Sequence, residues 1–363
     1  MSTSTSTSTS TSTSTSTLPA SYPPASPPSA PPWEPSAALL ERLTRSARFD
    51  CEYGRGLANH LPMALASLAR LGADEARLAA FQDGYAGQLK PAAPARAWPA
   101  GNPWRAPLGR RAAWPAYRSL FAEWIEHEGA SDVLAQVLPW LWPGVAAAGF
   151  HGLIRTASAV RCGHVGEVAE GLAYWSCRYL PLGELPDPPA ASRGAHTDPV
   201  ALLRRLRAGS SGQRLIAERR REAALDGEVN RVAARLVVTE ETPRLLALAS
   251  AQALAGSGDF TALHLLTSTH AMRVLSRFVD EPLAGWRHFW QAYAHAVVAA
   301  RLRRQAPAAL RSWEELECAA LGSADEHLIK LVDSCREEER AWGEPGQTLW
   351  RAAASQYLAR SAD

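Results

Sequence analysis

Apolar residues recur at three- and four-residue spacings along most of the chain from Ser36 onward. This spacing is typical of amphipathic helices, each with one face in a core. No segment alternates apolar and polar residues convincingly, and the best strand candidate, RLVVTEE at 235–241, is short and isolated. The pattern therefore predicts an all-α protein, with a single large multi-helix domain over residues 36–363. Sandwich, barrel and Rossmann folds fit it poorly.

Capping residues mark where several of these helices begin. Ser131, Asp259 and Ser323 each precede a periodic apolar run, so we expect them to be N-caps. Two segments, 90–116 and 181–199, lack the helical period and are rich in Pro, and we expect them to be loops.

The first 35 residues have no apolar periodicity at all. A Ser/Thr repeat, MSTSTSTSTSTSTSTST, leads into the Pro-rich segment LPASYPPASPPSAPPWEP. Such a composition cannot bury a core. We therefore predict a disordered tail over 1–35.

The composition narrows the class of protein without identifying a chemistry. Hydrophobic residues make up 47% of the 363 residues and the formal net charge is only +2, which argues against nucleic acid or a membrane as a partner. The N-terminus lacks the basic and apolar regions of a signal peptide. Five scattered cysteines form no CxxC pair, as expected of free thiols in a reducing compartment. We predict a cytoplasmic protein; the sequence leaves its oligomeric state open.

The chain has only two lysines, Lys90 and Lys330, among 38 basic residues. An ion pair with Glu326, four residues earlier, explains a cation at position 330 but not the choice of lysine over arginine. The pKa of an amine falls on burial, and a neutral amine is nucleophilic and can add CO2 to form a metal-binding carbamate. His327, three residues earlier, can address the same point.

Other histidines lie in apolar helical segments, and a buried imidazole bonded to a carbonyl is the commoner explanation for each one alone. His264 and His270 are six residues apart and cannot share a helical face, so at most one of them points at any given centre. His288 and His295 accompany tryptophans in an expected aromatic stripe. The remaining two candidates are His60, at a helix start, and His151, among small residues.

Familiar cofactor and metal motifs are missing from the sequence. It contains no HExxH, no GxGxxG after a strand and no Walker loop, and the paired E-x-x-H helices of di-iron bundles are also absent. HTD at 196–198 has the form of a facial-triad motif but lies in a Pro/Gly-flanked segment, where we expect a solvated loop. Imidazole together with oxygen ligands suits iron.

Four blocks of the sequence resemble successive blocks of the questin oxidase-like family. They are NHLPMALASLARLGADEARLAAFQDGYAGQL (59–89), GFHGLIRTASAV (149–160), FTALHLLTSTHAMRVL (260–275) and DEHLIKLVDSC (325–335). The blocks keep the family's order and span residues from about 50 to 335, so the resemblance extends over most of the predicted domain.

The resemblance implies a helical oxidoreductase that oxidises an aromatic polyketide, such as an anthraquinone-like ring system, with O2. It implies either Baeyer–Villiger-type or ring-cleaving chemistry on Fe(II). By motif, the iron ligands are expected to be His60, His151, His264, His327 and a carboxylated Lys330, with His270 as the alternative in the third block. Arg155, one turn after His151, is a candidate for pairing with an anionic substrate oxygen.

Two other functions stay open at this point. Some members of the family use NADPH, so the alternative enzyme is a metal-independent, NADPH-dependent Baeyer–Villiger monooxygenase. The other alternative is a non-catalytic helical binding protein, in which the histidines are satisfied core residues.

Overall fold

Helices form nearly all the regular structure of the protein. The computed structural model describes residues 33–186, 196–206, 227–300, 302–343 and 348–361. These residues contain fifteen α-helices and one short hairpin, so the all-α prediction is confirmed. Most of the predicted tail, residues 1–32, and part of the second predicted loop, residues 187–195, lie outside the described residues.

The elements follow one another along the chain, with one long, fully described connection over residues 87–110. In the first half they are α1 (Ala37–Ser46), β1 (Glu52–Tyr53), β2 (Leu57–Ala58), α2 (Leu61–Arg70), α3 (Glu75–Ala86), α4 (Trp114–Glu128), α5 (Ala130–Leu141), α6 (His151–Arg161), α7 (Val165–Cys177) and α8 (Pro199–Leu203). In the second half they are α9 (Gly227–Ala233), α10 (Thr242–Ser257), α11 (Phe260–Leu275), α12 (Pro282–Ala299), α13 (Trp313–Gly322), α14 (Glu326–Trp342) and α15 (Leu349–Ser361).

Two of the three predicted N-caps are wrong. Asp259 caps α11 as expected, through its carboxylate. Helix α5 instead begins after Gly129, whose φ of 87° favours glycine, so Ser131 falls inside the first turn. Helix α14 is capped by Asp325 rather than Ser323, because the Ser323 hydroxyl accepts a hydrogen bond from the Asp325 backbone N–H.

The predicted strand candidate at 235–241 does not form a strand. Leu236 makes only an isolated parallel bridge with His196, which brings the HTD segment beside it. The hairpin that does form, β1 paired with β2, turns through Gly54 and Gly56, both at positive φ. Its strands are too short to show a sequence period, which is why the pattern missed them.

One residue of the predicted tail contacts the helical region. Trp33, inside the segment expected to be a tail, packs against the Arg70 guanidinium. The Cζ atom of Arg70 lies 5.0 Å from the centroid of the Trp33 ring. The interior is rich in aromatic side chains. Fully buried tryptophans are Trp114, Trp142, Trp175, Trp286, Trp290 and Trp350.

Helices α2, α6, α11 and α14 pack on one another and run in the same direction. The direction follows from matching contacts. Near the helix starts, His60 of α2 meets Glu326 of α14, and the His151 ring of α6 lies beside the rings of His60 and of His264 in α11. Farther along, Arg70 of α2 and Arg161 of α6 both meet Asp333 of α14, and Arg273 of α11 meets Glu338 of α14. The first turns of all four helices thus lie at one level of the molecule and their later turns at another.

Helix α6 is held against α7 by two close glycine contacts. A Cβ on Gly152 would lie 2.7 Å from the Trp175 Cα, and one on Gly171 would lie 2.8 Å from the Thr156 Cα. Only glycine allows this approach, which fixes the start of α6. None of the described helices combines the length and apolar character needed to cross a membrane.

Candidate metal centre

Four imidazoles, from four different helix starts, meet at one point. Ring centroids lie 4.7 Å apart for His60 and His151 and 4.6 Å apart for His60 and His327. His264 completes the group, 5.0 Å from His151 and 5.6 Å from His327. All four sequence-predicted histidines are therefore together.

Local structure at each helix start sets these positions. His60 is the residue before α2, where the Asn59 side chain accepts a hydrogen bond from the Leu61 backbone N–H. His151 is the first residue of α6. The backbone N–H of His327 donates to the Asp325 carboxylate that caps α14, 2.8 Å away.

The Nδ1 atom of each ring faces an oxygen that can only accept. For His151 it is the Ala148 carbonyl, at 2.5 Å, and for His264 it is the Phe260 carbonyl, at 2.8 Å. A single carboxylate oxygen, Glu326 Oε1, lies 3.1 Å from Nδ1 of His60 and 3.4 Å from Nδ1 of His327. The proton of each neutral imidazole is therefore assigned to Nδ1.

The carbonyl that orients His151 comes from a left-handed turn. Ala148, Gly149 and Phe150 have φ values of 46°, 69° and 73°. Non-glycine residues adopt this conformation at a cost, and such strain concentrates at functional sites. Here the turn brings the Ala148 oxygen to the imidazole three residues later.

Two of the Nε2 atoms, left without protons by this assignment, lie close together. Those of His151 and His264 are 3.3 Å apart, too close for two lone pairs unless a proton or a cation lies between them. Nε2 of His60 and of His327 is buried and has no hydrogen-bond partner among the described residues. Donor atoms of His60, His151 and His327 all lie within 4.8 Å of one another.

Burial favours the neutral form of three of these rings. Burial lowers the pKa of His60 and His264 well below the ordinary histidine value, and the nearby Lys330 charge and neighbouring rings lower it further. Burial also lowers the pKa of His327, against an opposing hydrogen bond to Asp325. Neutral imidazoles are the form that binds metal ions.

Lys330 is buried beside the rings, with 6% of its surface exposed. Burial lowers the pKa of its amine to about 8, although the carboxylates of Glu326 and Asp325 oppose the shift. The surface ion pair with Glu326 is not present, because that carboxylate is occupied by two imidazoles. No residue in the described ranges accepts a hydrogen bond from Nζ.

The donor set fits a divalent metal ion. Metal–nitrogen bonds of about 2.0–2.1 Å place adjacent ligand nitrogens about 3 Å apart, close to the 3.3 Å between the two Nε2 atoms. Carboxylate or carbonyl acceptors on the opposite ring nitrogen are the usual partners of metal-bound histidines. Two carboxylates near the rings, Asp325 and Glu326, add negative charge that favours a cation.

The other histidines lie elsewhere. His270, the alternative in the third block, donates through Nδ1 to the Glu338 carboxylate at 2.8 Å and is not among the four rings. His295, on α12, lies with Nε2 2.8 Å from Oδ1 of Asn230. Arg155 pairs through two nitrogens with Glu167, at 3.0 and 3.1 Å, so its described contacts are not with the four rings.

A second polar cluster, which sequence reasoning missed, lies at the later turns of the same four helices. Its carboxylates stand on α14 and its cations come from the other three helices. Its members, the arginine–carboxylate network below, are Arg70, Arg161, His270, Arg273, Asp333, Glu337 and Glu338. An available signal was the basic residue in the last turn of α2, α6 and α11.

The family model described as questin oxidase-like matches residues 57–335, about three quarters of the chain. The chain belongs to the questin oxidase-like family. All four rings and Lys330 lie inside the matched range. Membership of the questin oxidase-like family supports an oxidoreductase of the oxygenase type, with a small aromatic molecule and O2 as partners. No curated protein matches the chain.

Proposed function

We propose that the protein is a non-haem iron-dependent oxygenase of an aromatic polyketide, an anthraquinone-like ring system. The reaction would be a Baeyer–Villiger-type or ring-cleaving oxidation. One observation carries the proposal: donor nitrogens of four imidazoles converge beside a buried amine. Within the described residues, Nε2 of His60 and Nε2 of His327 are buried without a hydrogen-bond partner.

In this proposal the iron ligands are the Nε2 atoms of His60, His151, His264 and His327 and an oxygen from Lys330. A neutral Lys330 amine attacks CO2, forms an N–C bond and releases one proton, which leaves an anionic carbamate. The pKa of about 8 supports this step, because a fraction of the amine is neutral near pH 7. Iron, when bound, supplies the dioxygen chemistry that an organic side chain lacks.

The chain's own residues would position and protect the reaction. Glu326 holds two rings with Nε2 free, and the Ala148 and Phe260 carbonyls hold the other two. Burial of the rings excludes water, which strengthens electrostatic interactions there. A role for Arg155 in pairing with a substrate oxygen stays a prediction. The ion pair between Arg155 and Glu167 does not support that role. Cytoplasmic location likewise stays a prediction.

Oxygen uptake by the purified protein tests the proposal. With 1,8-dihydroxyanthraquinone as substrate, we expect O2 consumption that needs Fe(II), stops after chelation and returns when Fe(II) is added. The variant His264→Ala should lose it, and His127→Ala, at an exposed histidine, should not. Substrate-dependent NADPH oxidation that survives chelation would contradict the proposal and favour the metal-independent monooxygenase.

A further inference from the structure

Phe260 is an exposed aromatic residue at a buried site. Its surface is 44% exposed, yet its ring centroid lies 4.5 Å from that of His264 and 4.7 Å from that of His327. His264 itself is only 1% exposed. Phe260 therefore connects the rings of the candidate metal centre with solvent.

The backbone at this position is fixed on both sides. Asp259 accepts hydrogen bonds from the Thr261 and Ala262 N–H groups, and the Phe260 carbonyl accepts one from His264 Nδ1. The backbone of Phe260 is therefore held in a defined position next to the candidate metal centre. The same helical turn orients His264, a proposed metal ligand.

The contacts leave part of the phenyl ring available. His264 and His327 meet it at interplanar angles of 62° and 64°, so neither stacks on it. Ligand sites are lined by apolar and aromatic side chains with a few polar groups, and Phe260 supplies such a side chain beside the four rings. A flat aromatic ring is the partner that gains most from a phenyl face.

We propose that Phe260 stacks on the planar ring of the substrate at the mouth of the centre, where it positions the oxygenated edge toward the four histidines. This assignment rests on the proposed function, from which it takes the aromatic substrate class. It adds the side from which the substrate enters, between the first turns of α11 and α14.

Binding of 1,8-dihydroxyanthraquinone to the full-length protein, followed by tryptophan fluorescence quenching, tests this assignment. We expect Phe260→Ala to weaken binding about tenfold or more, Phe260→Leu to weaken it severalfold and Phe260→Tyr to keep it within about twofold. Iron content and the unfolding midpoint should be unchanged in all three. The control is Trp140→Ala, at an aromatic residue that is 52% exposed and packs on Arg105.

Each other result overturns something specific. Wild-type affinity in Phe260→Ala or Phe260→Leu removes the stacking role, and loss of iron in Phe260→Ala shows that the ring only packs the imidazoles. A wild-type protein that does not bind the anthraquinone overturns the substrate class together with this assignment. A wild-type protein without iron overturns the proposed function alone, because the binding comparison is made on the chain and still decides the role of Phe260.

Discussion

The same four helices carry two buried polar clusters of opposite character. Near their starts, four imidazoles and a lysine lie beside two carboxylates, and within the described residues Nε2 of His60 and Nε2 of His327 have no hydrogen-bond partner. At their later turns, the arginine–carboxylate network pairs nearly every charge. Asp333 alone receives hydrogen bonds from Ser67, Arg70 and Arg161.

The difference indicates what each cluster is for. Buried charges that are paired and hydrogen-bonded hold a fold together, and removing one partner is expensive. Buried groups left without partners destabilise the chain alone and persist where a ligand compensates them. We therefore propose that the network serves stability and the histidine centre serves function. Four predictions test this contrast.

The largest expected effect is on the network. Replacing Asp333 by alanine leaves Arg161 without its bidentate partner, so we expect Asp333→Ala to lower the free energy of unfolding by about 3–5 kcal/mol, measured by urea denaturation. The control Glu41→Ala removes an exposed pair with Arg45 and should cost no more than about 0.5 kcal/mol. Equal effects of the two variants would contradict the assignment.

The second largest effect is expected from acid, which should destabilise the network. Neighbouring cations lower the pKa of Asp333 and of Glu338 to about 2, despite burial. Because the unfolded chain takes up these protons first, each carboxylate's contribution is complete above about pH 4.5 and is lost as pH falls toward 2. We expect a loss on the order of 2 kcal/mol for each, and a smaller pH dependence in Asp333→Asn. An unchanged slope in that variant would refute this.

At the histidine centre, the Glu326 carboxylate contacts two rings. We expect its loss to weaken metal binding rather than to destabilise the fold. Glutamine at position 326 keeps the shape of the side chain but loses the charge that holds the His60 and His327 protons on Nδ1. We expect Glu326→Gln to weaken Fe(II) binding about 10–100-fold in anaerobic chelator competition. Glu337→Gln, on the same helix but in the network, is the control and should bind iron as wild type does.

The smallest effect has the opposite sign from the first. In metal-free protein, the Lys330→Met substitution replaces a buried amine with an apolar side chain of similar length. No described residue accepts a hydrogen bond from that amine. We expect the free energy of unfolding to stay the same or rise by up to about 1 kcal/mol. A loss as large as that of Asp333→Ala would show that Lys330 is already compensated by the protein.

Sequence patterns predicted the helices and the individual candidate ligands. They predicted less well how these parts come together in the fold. The three- and four-residue period and the Asp259 cap are local signals, and α11 follows them. Cap choice at α5 and α14 failed where a glycine conformation or a competing hydrogen bond decided it. The hairpin and the Trp33 contact depend on distant partners that no local pattern records.

The site shows the same division. His327 and Lys330 share a helix turn, so their proximity could be expected from spacing. His60 and Lys330 are about 270 positions apart, and their grouping came only from the family resemblance. Spacing could not choose between His264 and His270; the first turn of α11 places one with the rings and the next turns place the other at Glu338.

Iron stoichiometry in wild type and Lys330→Arg tests the central claim most directly. Both proteins would be loaded anaerobically with Fe(II) in bicarbonate buffer, desalted and analysed for metal, with circular dichroism to verify folding. We predict about one iron per wild-type chain and essentially none in Lys330→Arg, since a guanidinium stays protonated and cannot form the carbamate. Full occupancy in the folded Lys330→Arg variant, or a fully active wild type without iron, would contradict the account.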